Sequence, residues 1–232
     1  MIIATYNERE NMQNLIPSIF QYVPDAHLLI VDDNSPDGTA DVIENLKGRY
    51  PGLHLLERPG KLGYGTAFVD GFAYALERGA ERIITMDADF SHDPSEIPRM
   101  LEASADSDVV IGSRYIHGVR ILNWPLRRLL LSAFANRYVN LILGMHLKDC
   151  TSGFRCYEAE ALKAIDFRHI KSRGYSFLVE LLYRIKRKGF SIAEHPIVYT
   201  ERREGQSKMS KSLIIESFFR PLLLRIDTLF KK

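Results

Sequence analysis

The strongest constraint on the fold is a rhythm. Up to residue 114, short apolar runs alternate with segments whose apolar residues recur at helical spacing. Met1 to Ala4, Leu28 to Val31, Leu53 to Glu57, Ile83 to Met86 and Val109 to Ser113 read as strands, rich in β-branched residues. Between them, Met12, Leu15, Ile16, Ile19 and Phe20 mark one helix, with Thr5 or Asn7 placed to cap it. Val42, Ile43 and Leu46 mark a second helix, from Asp41 to Gly48. A third opens at Lys61-Leu62-Gly63-Tyr64-Gly65-Thr66-Ala67 and runs towards Arg78, and a fourth runs from Pro94 towards Ala105. A repeated β-α unit predicts an α/β protein with a mainly parallel sheet and helices on both faces. Ligands of such sheets sit at the carboxyl ends of the strands.

That edge is chemically loaded. The second strand ends in Asp32-Asp33, the fourth in Asp87-Ala88-Asp89, and the fifth is followed by Arg114. Two carboxylates at i, i+2 where a chain leaves a sheet suit a hard divalent cation, Mg²⁺ or Mn²⁺. Taken alone, Asp-x-Asp also describes a solvated acidic turn. A carboxylate at the end of the second strand is placed to bond a ribose hydroxyl or a base edge. The turn at Lys61–Ala67 points backbone N–H groups at a helix start, which suits an anion. It matches neither the Walker pattern nor Gly-x-Gly-x-x-Gly, so a turn that merely needs small residues explains it as well. The missing glycine fingerprint after the first strand also argues against a dinucleotide oxidoreductase.

The 232 residues, 46% of them hydrophobic, allow one large α/β domain, alone or with an appended helical piece. A net charge of +2 gives no reason to expect a nucleic-acid partner. The charge is uneven, however. After Glu201 the cations Arg202, Arg203, Lys208, Lys211, Arg220, Arg225, Lys231 and Lys232 outnumber the acids, which favours an anionic phosphate or membrane surface. Cys150 and Cys156 fit small buried side chains better than a disulfide. No signal-peptide pattern is read, and no apolar run is long enough to span a membrane. The chain starts almost inside its first strand, which leaves open whether residues precede it.

The second half breaks the rhythm. Trp124 to Gly144 is an apolar stretch kept amphipathic by Arg127, Arg128, Asn136, Arg137 and Asn140, and reads as a core helix or a helix in a membrane interface. Asp149 to Arg155 reads as a compact polar turn and Glu158 to Ile165 as a short helix. A helix from Tyr175 to Lys188 carries Glu180 on a mostly apolar face, as an edge residue or a buried, paired one. Phe190 to Tyr199 reads as a strand that Pro196 makes an edge or a bulged one. Arg202 to Lys208 is a basic loop, and Ser212 to Phe230 an apolar helix that lies on a membrane or a partner.

Thr5-Tyr6-Asn7-Glu8, Val31 to Thr39, Asp87-Ala88-Asp89-Phe90-Ser91-His92, Gly112-Ser113-Arg114-Tyr115, Asp149 to Arg155 and Arg202…Gly205-Gln206-Ser207-Lys208 follow one another in a telling order. Together they resemble the inverting GT-A glycosyltransferases of family 2, in the dolichol- or polyprenol-phosphate mannosyltransferase branch. The resemblance covers nearly the whole chain. It implies a GT-A catalytic domain over 1–210 and a C-terminal, membrane-associated amphipathic helix over 211–232. It implies transfer of mannose from GDP-mannose to a dolichyl or polyprenyl monophosphate, with Mg²⁺ or Mn²⁺, at the cytoplasmic face of a membrane. Donor binding is implied for Ala4, Tyr6, Glu8, Val31, Asp33, Asp87, Ala88 and Asp89, with Arg202 and Lys208 on a loop that closes over the diphosphate. The metal is implied at Asp87 and Asp89 with Ser91 as a third contact, and the acceptor phosphate at Arg114, Arg128 and Ser132. Asp89, Arg114 and Arg202 are the implied catalytic residues. Ala4 departs from the proline usual at that position, which loosens the loop without removing a chemical group. The chain lacks the C-terminal spans of some members, which resembles the type whose catalytic subunit works with a small membrane-anchored partner. A UDP-glucose-dependent glucosyltransferase of the same fold, or a non-catalytic nucleotide-binding subunit, are the competing expectations.

Overall fold

The computed structural model describes residues 1–170, 172, 174–201 and 211–230, without the side chains of 175, 211–215, 229 and 230. The expected domain boundary at 210/211 adjoins the segment outside the described residues.

The predicted rhythm is present. In order come β1 (Ile2–Thr5), α1 (Arg9–Tyr22), β2 (Leu28–Asp32), α2 (Thr39–Lys47), β3 (Leu53–Glu57), α3 (Tyr64–Glu77), β4 (Arg82–Thr85), α4 (Ile97–Ala103) and β5 (Val109–Ser113). Then follow β6 (Ile121–Leu122), α5 (Leu126–Leu143), β7 (Arg155–Glu158), α6 (Ala159–Lys163), α7 (Gly174–Arg187), β8 (Ile192–Pro196), β9 (Tyr199–Thr200) and α8 (Lys211–Phe230). Seven strands form one sheet in the order β3-β2-β1-β4-β7-β5-β8, and β6 pairs with β9 in a small parallel ribbon. β8 is an edge strand, as Pro196 requires.

Side-chain alternation along each strand divides the core. Ile2, Leu29, Val31, Ile83, Val109 and Ile111 face α3, α5 and α7, meeting Phe68, Phe72, Val139, Phe177 and Leu181. Their neighbours Ile3, Leu28, Ile30, Ile84 and Val110 face the other way, onto Met12, Leu15 and Ile16 of α1, Ile43 of α2 and Met100 of α4. α3 lies close on β1 because Gly71 leaves room: a Cβ there would stand 2.7 Å from Ile2 Cγ2. Cys150 and Cys156 are buried free thiols, and burial pushes Cys150 up to about 12 and Cys156 above its ordinary range.

Two expectations are corrected. Arg155 does not close a turn; it opens β7, which runs antiparallel between β4 and β5 and pairs Ile84 with Cys156 and Val110 with Cys156 on its two sides. α5 is not amphipathic: Val139 and Leu143 pack inward, while Leu126, Leu130, Leu131, Phe134 and Leu141 are exposed. A single apolar stripe would have put both sets on one face.

α8 packs against α5 and α7. Its fixing point is Glu180 of α7, fully buried, which accepts hydrogen bonds from Arg184, Arg220 and Ser172. Arg184 reaches Oε1 at 2.6 Å and Arg220 reaches Oε2 at 2.7 Å. Tyr138 of α5 adds a bond from its hydroxyl to the Phe218 carbonyl at 2.7 Å, with the two rings stacked. Burial alone would raise the Glu180 pKa, but the bonds from Ser172, Arg220 and Arg184 hold it below its ordinary 4.5. A depressed folded pKa contributes stability above the ordinary value, and that stability is lost as pH falls through the folded one. Glu180→Ala should therefore lower stability at pH 7 by about 3 kcal/mol, the low end for breaking a buried pair. Because the deficit shrinks with acid, urea midpoints of variant and wild type should converge below pH 4.5.

Candidate active site

β1, β2, β4 and β5 all run the same way, so their carboxyl ends deliver Tyr6, Asp33, Asp87 and Arg114 to one edge. The first two loops are knitted together. The N–H groups of Asn7, Glu8 and Arg9 donate to Ser35 Oγ, Thr39 Oγ1 and Asp37 Oδ2 at 2.9, 3.0 and 3.1 Å. Thus neither Thr5 nor Asn7 caps α1; Thr5 Oγ1 donates to buried Asp32 at 2.7 Å, and the cap comes from the second loop. Asn7, Asn34 and Phe90 each follow a strand at this edge with φ of 56°, 55° and 57°. For Phe90 that conformation is strained, and strain of this kind is stored where a site needs an unusual turn.

At the ends of β1 and β2, Ala4 pairs with Val31 in the sheet. Asp33 is buried and already engaged: Arg58 Nη1 donates to Oδ1 at 2.5 Å and the Gly63 N–H to Oδ2 at 2.8 Å. The glycine turn therefore does hold an anion, and the anion is Asp33. Arg58 also reaches Thr66 Oγ1 at 2.5 Å. It was not singled out from the sequence, since a lone arginine after a strand carries no pattern. Lys61 Nζ lies 4.0 Å from the Tyr6 ring centroid, a cation–π contact over the same loop. Glu8 accepts from Asn11 Nδ2 at 2.7 Å.

The acidic turn follows. Asp87 Oδ1 accepts from the Tyr64 hydroxyl at 3.1 Å, and Oδ2 lies 3.9 Å from His92 Nδ1. Asp89 Oδ1 accepts from both the N–H and the hydroxyl of Ser91, so Ser91 steadies Asp89. Ala88, between them, is buried. Burial pushes the Asp87 carboxyl above the usual range and nearby Asp89 adds to the push. Burial holds His92 below the ordinary imidazole range, and its Nδ1 accepts from the Asp87 N–H at 3.2 Å. Two carboxylates so placed fit a divalent ion, because a cation offsets their mutual repulsion. Among the described residues no cluster of three or more His, Cys, Asp or Glu surrounds them. A divalent ion held by these two carboxylates would take its remaining oxygen ligands from elsewhere.

The basic side faces the acid turn. Arg114 is bound bidentately by fully buried Asp149, at 2.7 Å from Nε and 2.8 Å from Nη2, and also donates to Thr151 Oγ1. Burial works against both charges, yet the pair holds Arg114 above and Asp149 below their ordinary values. Asn136 of α5 accepts from the Cys150 N–H at 2.7 Å, which ties the helix to this turn. Arg128 lies on the Trp124 ring, 4.0 Å from its centroid, and donates to Glu201; Ser132 is one turn further along α5. Tyr199 joins the two sides, with His92 and Trp124 each 5.3 Å from its ring. Most of the predicted site residues thus follow the strand ends of one edge or lie on α5 beside it, Val31 is itself buried in the core, and Arg202 and Lys208 lie outside the described residues.

The family model described as "Glycosyl transferase family 2" matches residues 1–166. The chain belongs to glycosyltransferase family 2. Within the family it is 44% identical to a polyprenol monophosphomannose synthase of Mycolicibacterium smegmatis over 222 residues, 95% of this chain and 84% of that protein. It is 43% identical to an undecaprenyl-phosphate mannosyltransferase of Micrococcus luteus over 216 residues, 93% and 89% of the two. Among solved structures, a mannosyltransferase of Pyrobaculum calidifontis in complex with GDP-Man and Mn²⁺ matches with a TM-score of 0.64 at 15% identity, covering 100% of this chain and 63% of that one. The fold is the GT-A-like one shared with such glycosyltransferases.

One glycine joins the family's turn at 149–155 to the acid pair. A Cβ on Gly153 would stand 2.8 Å from the Tyr64 hydroxyl and 2.9 Å from Asp87 Oδ1. Gly153→Ala should leave the far-UV circular dichroism unchanged, displace Asp87, and raise the Mn²⁺ concentration for half-maximal nucleotide-sugar turnover about ten-fold. Metal titration of the purified variant measures this.

Proposed function

We propose that the chain transfers mannose from GDP-mannose to a dolichyl or polyprenyl monophosphate, with inversion at the anomeric carbon. One observation carries the reading. An acid pair suited to a metal–diphosphate and an arginine cluster suited to a second phosphate lie on one edge, with Tyr199 between them. The names of the two relatives support the polyprenyl acceptor and the mannosyl group.

On the donor side, Asp87 and Asp89 are the residues that would hold Mg²⁺ or Mn²⁺, which would supply positive charge where the diphosphate leaves. Ala4, Tyr6, Glu8, Val31, Asp33 and Ala88 line the nucleotide end, where Asp33 is fixed by Arg58 and Gly63. Arg202 and Lys208, which lie outside the described residues, are the cations that the resemblance assigns to the diphosphate. On the acceptor side, Arg114, Arg128 and Ser132 orient the monophosphate. A sugar hydroxyl would need a general base to attack; a phosphate oxygen is already anionic near neutral pH and needs only to be positioned. Direct displacement of the diphosphate by that oxygen forms the new C–O bond as the old one breaks, which inverts the centre.

The acceptor's prenyl chain sets a second demand. Among the described residues no helix is long and apolar enough to cross a membrane. α5 and α8 instead expose Leu130, Leu131, Phe134, Phe218, Phe219 and Leu223, with basic Arg127, Arg137 and Arg225 nearby in sequence. Such a surface fits a peripheral protein resting on anionic lipid, with Arg128 close to the headgroups.

Two outcomes test the proposal. Purified protein with a polyprenyl phosphate in detergent, Mn²⁺ and GDP-mannose should give a mannosyl phospholipid by mass spectrometry, and Asp89→Asn should cut its rate at least about a hundred-fold. A product from UDP-glucose instead would move the chain to the glucosyl reading, and no product from either donor would refute the reaction. Phe134→Glu should abolish flotation with anionic vesicles while retaining transfer to a short, water-soluble prenyl phosphate.

A further inference from the structure

Four buried side-chain polar atoms make no hydrogen bond among the described residues: Arg58 Nε, His92 Nε2, Tyr115 Oη and Trp124 Nε1. Native proteins leave few such groups unsatisfied, and each calls for a reason. Arg58 Nε has the Asp70 carboxylate at 3.0 Å. The His92 ring meets the Tyr199 ring edge to face. Trp124 has no such account, the Tyr115 hydroxyl has only the Ser132 hydroxyl beside it, and the two residues sit together. The Arg114 guanidinium carbon is 5.7 Å from each of their ring centroids, and Arg128 covers the Trp124 ring at 4.0 Å. An indole N–H can only donate and a phenol donates readily, so two spare donors stand beside two guanidinium groups.

One carboxylate is also present. Both oxygens of Glu201 gather on a single nitrogen of Arg128, Nη1, at 2.5 and 2.7 Å. This is not the two-nitrogen fork that makes arginine–phosphate pairs strong, so a better-fitting anion can displace it. The pair is partly open, with the Arg128 side chain 36% and the Glu201 side chain 29% exposed. The backbone of Glu201 is held separately, its N–H on the Leu122 carbonyl at 3.2 Å and the Thr200 N–H on the Ser91 carbonyl at 3.2 Å. The carboxylate can therefore swing off Arg128 without moving β9.

We propose that the Trp124 indole N–H and the Tyr115 hydroxyl donate to the acceptor's monophosphate, and that the Glu201 carboxylate occupies Arg128 until that phosphate replaces it. The inference rests on the acceptor class proposed above. It adds two donors to the phosphate site and makes Glu201 a competitor that sets acceptor affinity. A monophosphate carries more charge than a carboxylate near pH 7 and offers three acceptor oxygens, enough for both donors and Arg128 together.

The test uses the full chain with farnesyl monophosphate as probe, measuring calorimetric affinity, acceptor and donor KM, and melting temperature. Tyr115→Phe and Trp124→Phe should each raise the acceptor KM about ten-fold and leave the GDP-mannose KM unchanged, as expected for a lost bond to a charged group. Tyr115→Phe should also melt close to wild type, since it deletes a hydroxyl whose one side-chain neighbour is the Ser132 hydroxyl; a merely structural role predicts lower melting and an unchanged acceptor KM. Glu201→Gln should lower the acceptor KM several-fold. Wild-type binding that none of the three variants alters would overturn this proposal and leave the proposed reaction standing. Wild type that binds no prenyl phosphate at all would overturn both.

Discussion

The geometry of the site depends on one strand running the wrong way. β7 lies antiparallel between β4 and β5, so its first residue, not its last, reaches the edge where the parallel strands end. The segment just before it, Asp149 to Phe154, is therefore delivered among the ends of β4 and β5. Asp149 meets Arg114, Gly153 presses on Asp87, and Thr85 Oγ1 donates to the Gly153 carbonyl at 2.8 Å. Arg155 holds the turn in place from below. Its fully buried guanidinium donates to the carbonyls of Ser152, Cys150 and Leu178, each at 2.7 Å. A buried cation solvated by backbone oxygens at three points of the chain leaves little freedom to the turn it organises.

The same logic repeats at the end of β2. Arg58 and Asp33 form a buried pair there, as Arg114 and Asp149 do beyond β5. In each case one member of a salt bridge is a residue expected to touch substrate and the other is a support. Preformed pairs keep polar groups oriented before a ligand arrives, which favours catalysis by positioning. They also limit net charge: Arg114 is matched by the fully buried Asp149, and Arg128 by the more open carboxylate of Glu201.

Much of this was legible from the chain alone, because it is local. Strand ends, the parallel rhythm and the acid pair follow from short apolar runs that stop at Asp, Asn, Gly or Pro. What escaped is non-local. Arg155-Cys156-Tyr157-Glu158 has charged ends and only two apolar residues, and its burial on both faces exists only because two distant strands flank it. Glu180 looked like either an edge residue or a buried one; Arg220, 40 residues further on, decided it. Arg58 and Asn136 matter through partners that no sequence window contains. α5 misled for a different reason: its spacing suits a helix, but apolar residues on all sides do not say which side is covered.

The two thiols carry a practical corollary. Cys150 and Cys156 are sealed in the core and hold their protons far above neutral pH, and it is the thiolate that reacts. The native chain is thus chemically silent towards maleimides under mild conditions. A single cysteine introduced on the outer side of α5 or α8 would accept a fluorophore or spin label without first removing the natural ones, so the surroundings of either helix become readable by spectroscopy on an otherwise unaltered molecule.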